Sequence, residues 1–173
     1  EFLVDNVLSF GVRPEKITAV RAGDEIRVGP LSIRVLEGKH FRPGTRSGID
    51  AVGYLISADG APTLAFPSDV RDYSVADGEE LCADHCFAHV WLTDNALDPE
   101  MYIPKSREFA EYMLSKSRKS ILLTHLNINR TEDKRWTLHH ACAARDAILE
   151  KSPETVVRVP RYGEIIDLTC DRS

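Results

Sequence analysis

Short apolar runs bounded by turn residues recur through this chain, and they restrict it to folds built around a β-sheet. Leu31 to Leu36 sets Leu31, Ile33 and Val35 against Ser32 and Arg34, the alternation of a half-buried strand. Ala51 to Ser57 and Thr63 to Phe66 flank Ala58-Asp59-Gly60 and read as a β-hairpin. Glu25 to Val28 follows the turn Gly23-Asp24 and precedes Gly29-Pro30. Ala88 to Thr93 and Ser120 to Thr124 are denser apolar runs, as expected of strands buried on both faces; the buried stretch around the former reaches back to Cys86. Ile17 to Val20, Thr155 to Val159 and Glu164 to Leu168 are further strand candidates, the last two around Tyr162-Gly163.

Helical spacing appears in three places. Phe2 to Phe10 places Leu3, Val7 and Phe10 on one side, and Gly11 stands where a helix C-cap would. Lys105 to Lys116 places Phe109, Tyr112 and Met113 together. Thr137 to Lys151 places Leu138, Ala141, Cys142, Ile148 and Leu149 together, with Pro153 just beyond. The order is helix, several strands, alternating strand and helix, then strands. That predicts an α/β chain with a mixed β-sheet and flanking helices.

At 173 residues the chain is the size of one domain. No apolar run reaches membrane-span length, and the mean hydropathy is -0.25. The 27 acidic residues outnumber 22 basic ones, giving a net charge of -5, which argues against nucleic acid as the main partner. The chain opens at Glu1-Phe2-Leu3 inside an amphipathic pattern, with neither Met nor a signal peptide. It reads as a processed or excised piece of something longer. Cys82 and Cys86, with His89 close by, hold metal-ligand residue types, but the spacing suits no zinc finger or ribbon and no second pair repeats it. Cys82, Cys86, Cys142 and Cys170 are therefore expected to be reduced and buried, in keeping with the cytoplasm. The adjacent His139-His140 lies inside a helix and is expected to face solvent or a polar cleft.

Chemistry in open α/β sheets gathers at strand ends. Three strands here run into a residue able to bind metal: Leu31 to Leu36 into Glu37-Gly38-Lys39-His40, Thr63 to Phe66 into Pro67-Ser68-Asp69, and Ser120 to Thr124 into His125. These residues are 29 and 56 positions apart, so only the fold can unite them. Their order, with Gly23-Asp24-Glu25-Ile26 before, Gly53-Tyr54-Leu55-Ile56 between, Ile121-Leu122-Leu123-Thr124-His125-Leu126 later and Tyr162-Gly163-Glu164-Ile165-Ile166 at the end, resembles the metallo-β-lactamase superfamily of hydrolases.

The resemblance runs from Val12 onward and corresponds to roughly the second half of a family domain, with residues 1–173 as the C-terminal half of an αβ/βα sandwich. It implies two dications, commonly zinc, with manganese or iron as alternatives. It also implies roles for three residues: His40 completing one metal site, Asp69 bridging the two and acting in catalysis, and His125 completing the other. Neutral imidazole suits a borderline-soft dication, and a carboxylate offers one oxygen to each of two metals. Such a pair would generate a metal-bound hydroxide near neutral pH.

The family's His-x-His-x-Asp-His signature is absent from this sequence. Three ligands split over two sites hold two zincs poorly. The missing N-terminal half of the domain, a second chain or a swapped dimer must then complete the centre and cover the second sheet face. Lys39, Arg42 and Arg46 crowd the loop after the first strand end, and Asn127, Asn129 and Arg130 follow His125. Arginine clamps phosphate oxygens bidentately, so Arg42, Arg46, Asn127 and Arg130 are candidates for binding a small anionic substrate. Thr93-Asp94-Asn95, Thr124-His125 and the helix carrying His140-Ala141 lean toward the phosphodiesterase side of the superfamily, with lactone and thioester hydrolysis open. The alternative is a non-catalytic binding or assembly half-domain that has lost the His-rich motif.

Overall fold

The computed structural model describes residues 2–40, 51–71, 73, 82–92, 98–126 and 137–169. Among the described residues seven strands form one sheet in the order β1-β2-β3-β4-β5-β6-β7. They are β1 (Glu25–Val28), β2 (Leu31–Gly38), β3 (Ala51–Ser57), β4 (Leu64–Phe66), β5 (Ala83–His89), β6 (Ser117–Thr124) and β7 (Val156–Arg158). The helices are α1 (Phe2–Ser9), α2 (Pro99–Leu114) and α3 (Leu138–Lys151). β1 to β4 pair antiparallel, while β4 to β7 pair parallel, so the sheet is mixed. The expected hairpin is β3–β4, closed by Ala61 N–H donating to Ala58 O at 3.2 Å, with Gly60 at φ 72°. That left-handed conformation suits glycine.

The two longer helices cover one face of the parallel half. Cys86 and Ala88 of β5 stand beside Ile121 and Leu123 of β6, and all four are buried in the cluster that includes Phe109, Met113, Ala144 and Ile148. The opposite face carries Tyr54, Phe66, Phe87 and Leu122, where the Phe66 and Phe87 rings stack at 4.4 Å. On that face Ser120 Oγ meets His85 Nδ1 at 2.7 Å, and His85 Nε2 meets Leu168 O at 3.1 Å, which anchors the C-terminal segment.

Several elements differ from the sequence expectation. α2 begins six positions earlier, because Asp98 caps it (its carboxylate accepts from Glu100 N–H at 3.0 Å) and Pro99 opens its first turn. Pro104 lies inside the helix, and burial of Tyr102, Phe109 and Met113 holds the helix across it. β5 begins and ends earlier than Ala88 to Thr93; Val90, Trp91 and Leu92 are buried beyond the strand end. Residues 17–20 and 164–168 are not strands. Ile17 instead closes a 3-10 turn over Pro14–Lys16, and after the turn at Tyr162-Gly163 Glu164 bonds Arg158 and the Arg161 N–H without forming a ladder. α3 buries three alanines, Ala141, Ala144 and Ala147, together with Ile148, packs against α2, and leaves Leu138 exposed. His140 is buried rather than facing solvent: it accepts the Thr137 N–H at 3.1 Å as part of the helix cap. His139 is exposed and meets the Tyr102 hydroxyl at 2.7 Å. Of the cysteines, Cys86 is buried, Cys82 and Cys142 are half-buried, all three are free thiols, and Cys170 lies outside the described residues. Among the described residues no helix is long and apolar enough to cross a membrane.

Candidate metal centre

Two successive antiparallel pairings, β2 with β3 and β3 with β4, give β4 the direction of β2, and β5 and β6 run parallel to β4. The C-terminal ends of β2, β4, β5 and β6 therefore share one edge. Two backbone bonds between loops draw those ends together. Arg71 N–H donates to Lys39 O at 3.0 Å, joining the exits of β4 and β2. Val90 N–H donates to Thr124 O at 3.1 Å, joining the exits of β5 and β6, where His89 already pairs with Thr124.

Tight local geometry aims the side chains. Ser68 has φ 76° and His125 has φ 64°, both in the left-handed region that non-glycine residues seldom occupy. Val70 N–H closes back on Ser68 O at 3.1 Å, so Asp69 sits at the tip of a three-residue turn. Behind it, Gly53 lets the Phe66-Pro67 backbone lie against β3, where an added Cβ would stand 2.7 Å from Phe66 O.

The structure brings His40, Asp69 and His125 together. Asp69 Oδ2 lies 3.2 Å from His40 Nε2, and Asp69 Oδ1 lies 3.8 Å from His125 Nδ1. The carboxylate thus turns one oxygen to each imidazole. A fourth residue joins them. His89, the last residue of β5, offers a nitrogen that lies with ligand atoms of Asp69 and His125 inside a span of 4.8 Å. The His89 and His125 rings are 5.0 Å apart. Burial holds the His89 imidazole below its ordinary pKa, the neighbouring His125 adds to this and Asp69 partly opposes it, so His89 is neutral with a lone pair to offer.

Among the described residues, His40 Nδ1, Asp69 Oδ1 and His89 Nδ1 are buried and make no hydrogen bond. Buried polar atoms are nearly always partnered. Two of these residues belong to the Asp69, His89 and His125 group, where an unpartnered carboxylate oxygen and imidazole nitrogen fit a dication; His40 turns its other nitrogen, Nε2, to Asp69.

Sequence reading missed His89 because the expected strand started at Ala88 and placed His89 inside it. The rule that selected His40, Asp69 and His125 applies equally to His89 once β5 is shifted back. Cys86 does not join the centre, since its side chain packs on the helix-covered face. Arg42, Arg46, Asn127, Asn129 and Arg130 lie outside the described residues, as does Thr93-Asp94-Asn95.

No protein-family model and no curated protein matches the chain. Solved structures do. A possible metal-dependent hydrolase from Veillonella parvula DSM 2008 superposes with a TM-score of 0.57 at 18% identity, over 84% of this chain and 57% of that one. The metallo-β-lactamase fold protein YhfI from Bacillus subtilis superposes with a TM-score of 0.54 at 17% identity, over 85% of this chain and 54% of that one. The chain spans a little over half the length of either neighbour. Over that span it has the metallo-β-lactamase fold, with its candidate ligands at one edge of the mixed sheet.

Proposed function

We propose that this chain supplies part of the metal centre of a metal-dependent hydrolase that cleaves phosphodiesters. The observation that carries the reading is the meeting of Asp69, His89 and His125 ligand atoms within 4.8 Å, next to buried nitrogen and oxygen atoms that bond to nothing else. Asp69 would hold two dications through its two oxygens, with His40 on one side and His89 and His125 on the other. The imidazole and carboxylate donors favour zinc, with manganese or iron as alternatives. Dications bound there supply charge at the scissile bond and lower the pKa of a coordinated water toward neutrality.

The chain's own residues do the rest. The carboxylate of Asp69 fixes the spacing of the donors, and the neutral His89 adds a nitrogen without adding charge. Arg42 and Arg46 after His40, with Asn127 and Arg130 after His125, would bind the non-bridging oxygens of an anionic small molecule. Further ligands would come from the remainder of a domain of which residues 1–173 form the C-terminal half, or from a second chain. The free thiols at Cys82, Cys86 and Cys142 accord with a reducing cytoplasm.

The test is metal analysis with hydrolysis of bis(p-nitrophenyl) phosphate, a lactone and a thioester, on the full-length protein and on variants. Asp69→Asn should lose metal from both positions, and activity should fall by orders of magnitude. His40→Ala and His125→Ala should each deplete one position. Arg42→Ala should raise KM for the phosphodiester and leave metal content unchanged. Full metal loading and activity in Asp69→Asn would place the chemistry elsewhere, and turnover of the lactone or thioester alone would reassign the substrate.

A further inference from the structure

Tyr73 belongs to no motif in the sequence, yet its hydroxyl sits between two of the loops that carry candidate ligands. It lies 2.6 Å from Trp91 O and 3.1 Å from Val70 O. Val70 directly follows Asp69, and Trp91 follows His89 by two residues. A phenol has one proton, so the shorter contact takes most of it and the longer shares it. The ring is buried, edge-on to Phe109 at 5.5 Å and tilted against Tyr112 at 5.5 Å, both on α2. Helix packing therefore fixes where the hydroxyl stands. Burial, with Asp69 nearby, raises the phenol well above its ordinary pKa, so it remains a donor.

We propose that Tyr73 is a positioning residue for the metal centre, its hydroxyl tying the Asp69 turn to the exit of β5 and so setting the distance from the Asp69 carboxylate to the His89 imidazole. Among the described residues the Arg71 guanidinium also lies over the Trp91 ring, 4.8 Å from its centroid, but that contact joins side chains, whereas the Tyr73 hydroxyl meets the backbone carbonyls of both loops. The bond from Arg71 to Lys39 fixes the Asp69 turn to β2, and the bond from Val90 to Thr124 fixes the β5 exit to β6. Each half of the centre is pinned by its own bond, and Tyr73 spans the halves. Residues that orient metal ligands without touching the metal change affinity by roughly 10- to 100-fold when removed.

The role in metal binding rests on the hydrolase reading above, whereas the tie between loops does not, and the experiment separates them. Tyr73→Phe keeps the ring and removes only the hydroxyl. In the metal-free protein, amide hydrogen exchange at Val70 and Arg71 on one side and Val90 on the other should accelerate together, about tenfold or more. With Co²⁺ as probe, followed by its visible absorption, Tyr73→Phe should bind about tenfold more weakly. The control is Thr63→Val, which removes the two bonds of the Thr63 hydroxyl to Asp84 at the opposite end of β4 and β5 and keeps the backbone one. It should lower the melting temperature and leave Co²⁺ affinity unchanged. Exchange that rises on one side only, or Tyr73→Phe with wild-type Co²⁺ affinity, overturns the proposal. Failure of the wild-type protein to take up Co²⁺ sinks the hydrolase reading instead, and the exchange result then decides the tie by itself.

Discussion

Replacing Gly53 with alanine should damage the candidate centre from a distance, and the structure sets the size of the effect. Gly53 pairs with Leu36 in the middle of the sheet and touches no candidate ligand. A Cβ added there would lie 2.7 Å from Phe66 O, 3.0 Å from Pro67 C and 3.1 Å from Pro67 O, where ordinary contact begins at 3.4 Å. The obstructing atoms are backbone, so the exit of β4 must retreat by about 0.7 Å. Overpacking of this kind costs about 1–3 kcal/mol, which for a domain of this size lowers the melting temperature by about 2–12 °C. Asp69 follows Pro67 by two residues and moves with it, so Co²⁺ affinity should fall about tenfold or more. Gly60→Ala is the matched control. Gly60 has open space around it and φ 72°, so alanine there meets only backbone strain, about 1–2 kcal/mol, at the opposite edge of the sheet. Thermal melts and Co²⁺ titrations on both variants make the comparison. If Gly53→Ala loses stability but keeps wild-type Co²⁺ affinity, the β4 exit does not set the position of Asp69. If it melts with the wild type, the close approach itself is wrong.

Three further outcomes are expected. Burial pushes the Cys86 thiol up to about 12, so iodoacetamide at pH 8 should label Cys82 and Cys142 in the folded protein and reach Cys86 only after denaturation, as read by peptide mass mapping. The Thr63 backbone N–H, assisted by its hydroxyl, holds the Asp84 carboxyl below its ordinary pKa. That stabilisation is present above about pH 4 and is lost as pH falls through the depressed value; Asp84→Asn should cost about 1 kcal/mol at pH 7 in urea unfolding and flatten the loss below about pH 4. His89→Ala should weaken Co²⁺ binding as much as His125→Ala does, and equal affinity of His89→Ala and wild type would remove His89 from the centre.

The sequence made β2, the β3–β4 hairpin and β6 legible because each has one face or both faces committed to a core, so burial leaves its period in the residue pattern. It made three ligand positions legible for the same reason, since a strand with clear bounds has a clear end. β5 shows where this fails. Its apolar run continues through Val90, Trp91 and Leu92, which are buried without belonging to the ladder. Hydrophobicity reports burial, and the strand end is set by hydrogen bonding, so the pattern places His89 inside the strand. α2 shows the complementary error. The spacing of Phe109, Tyr112 and Met113 starts the helix at Lys105, but the Asp98 cap and Pro99 begin it earlier, and the packing of Tyr102 carries it across Pro104. The strand expected at Glu164 to Leu168 has the right alternation and a real turn before it, yet Ile165 is almost fully exposed. Alternation without a neighbouring strand does not make a strand.

The edge that gathers the ligands is also where the backbone departs from what its residues prefer. Ser68 and His125 both take positive φ, at about 1–2 kcal/mol each relative to ordinary conformations. Neither stands in a turn that would be short of other solutions if the chain only had to reverse direction; glycine fills that need at Gly60 and Gly163. What holds the strained residues is the anchoring beside each: Val70 and Val90 are fully buried, and Lys39 and Thr124 accept backbone bonds from the neighbouring loops. A surrounding structure that over-determines two unfavourable conformations at one edge, one of them in a candidate ligand and the other beside one, spends stability where the side-chain direction matters most. The same edge leaves His40 Nδ1, Asp69 Oδ1 and His89 Nδ1 buried without hydrogen bonds. Strain and unsatisfied buried atoms are each unfavourable, and a dication held by Asp69, His89 and His125 would relieve the second for Asp69 and His89 by giving their atoms a partner.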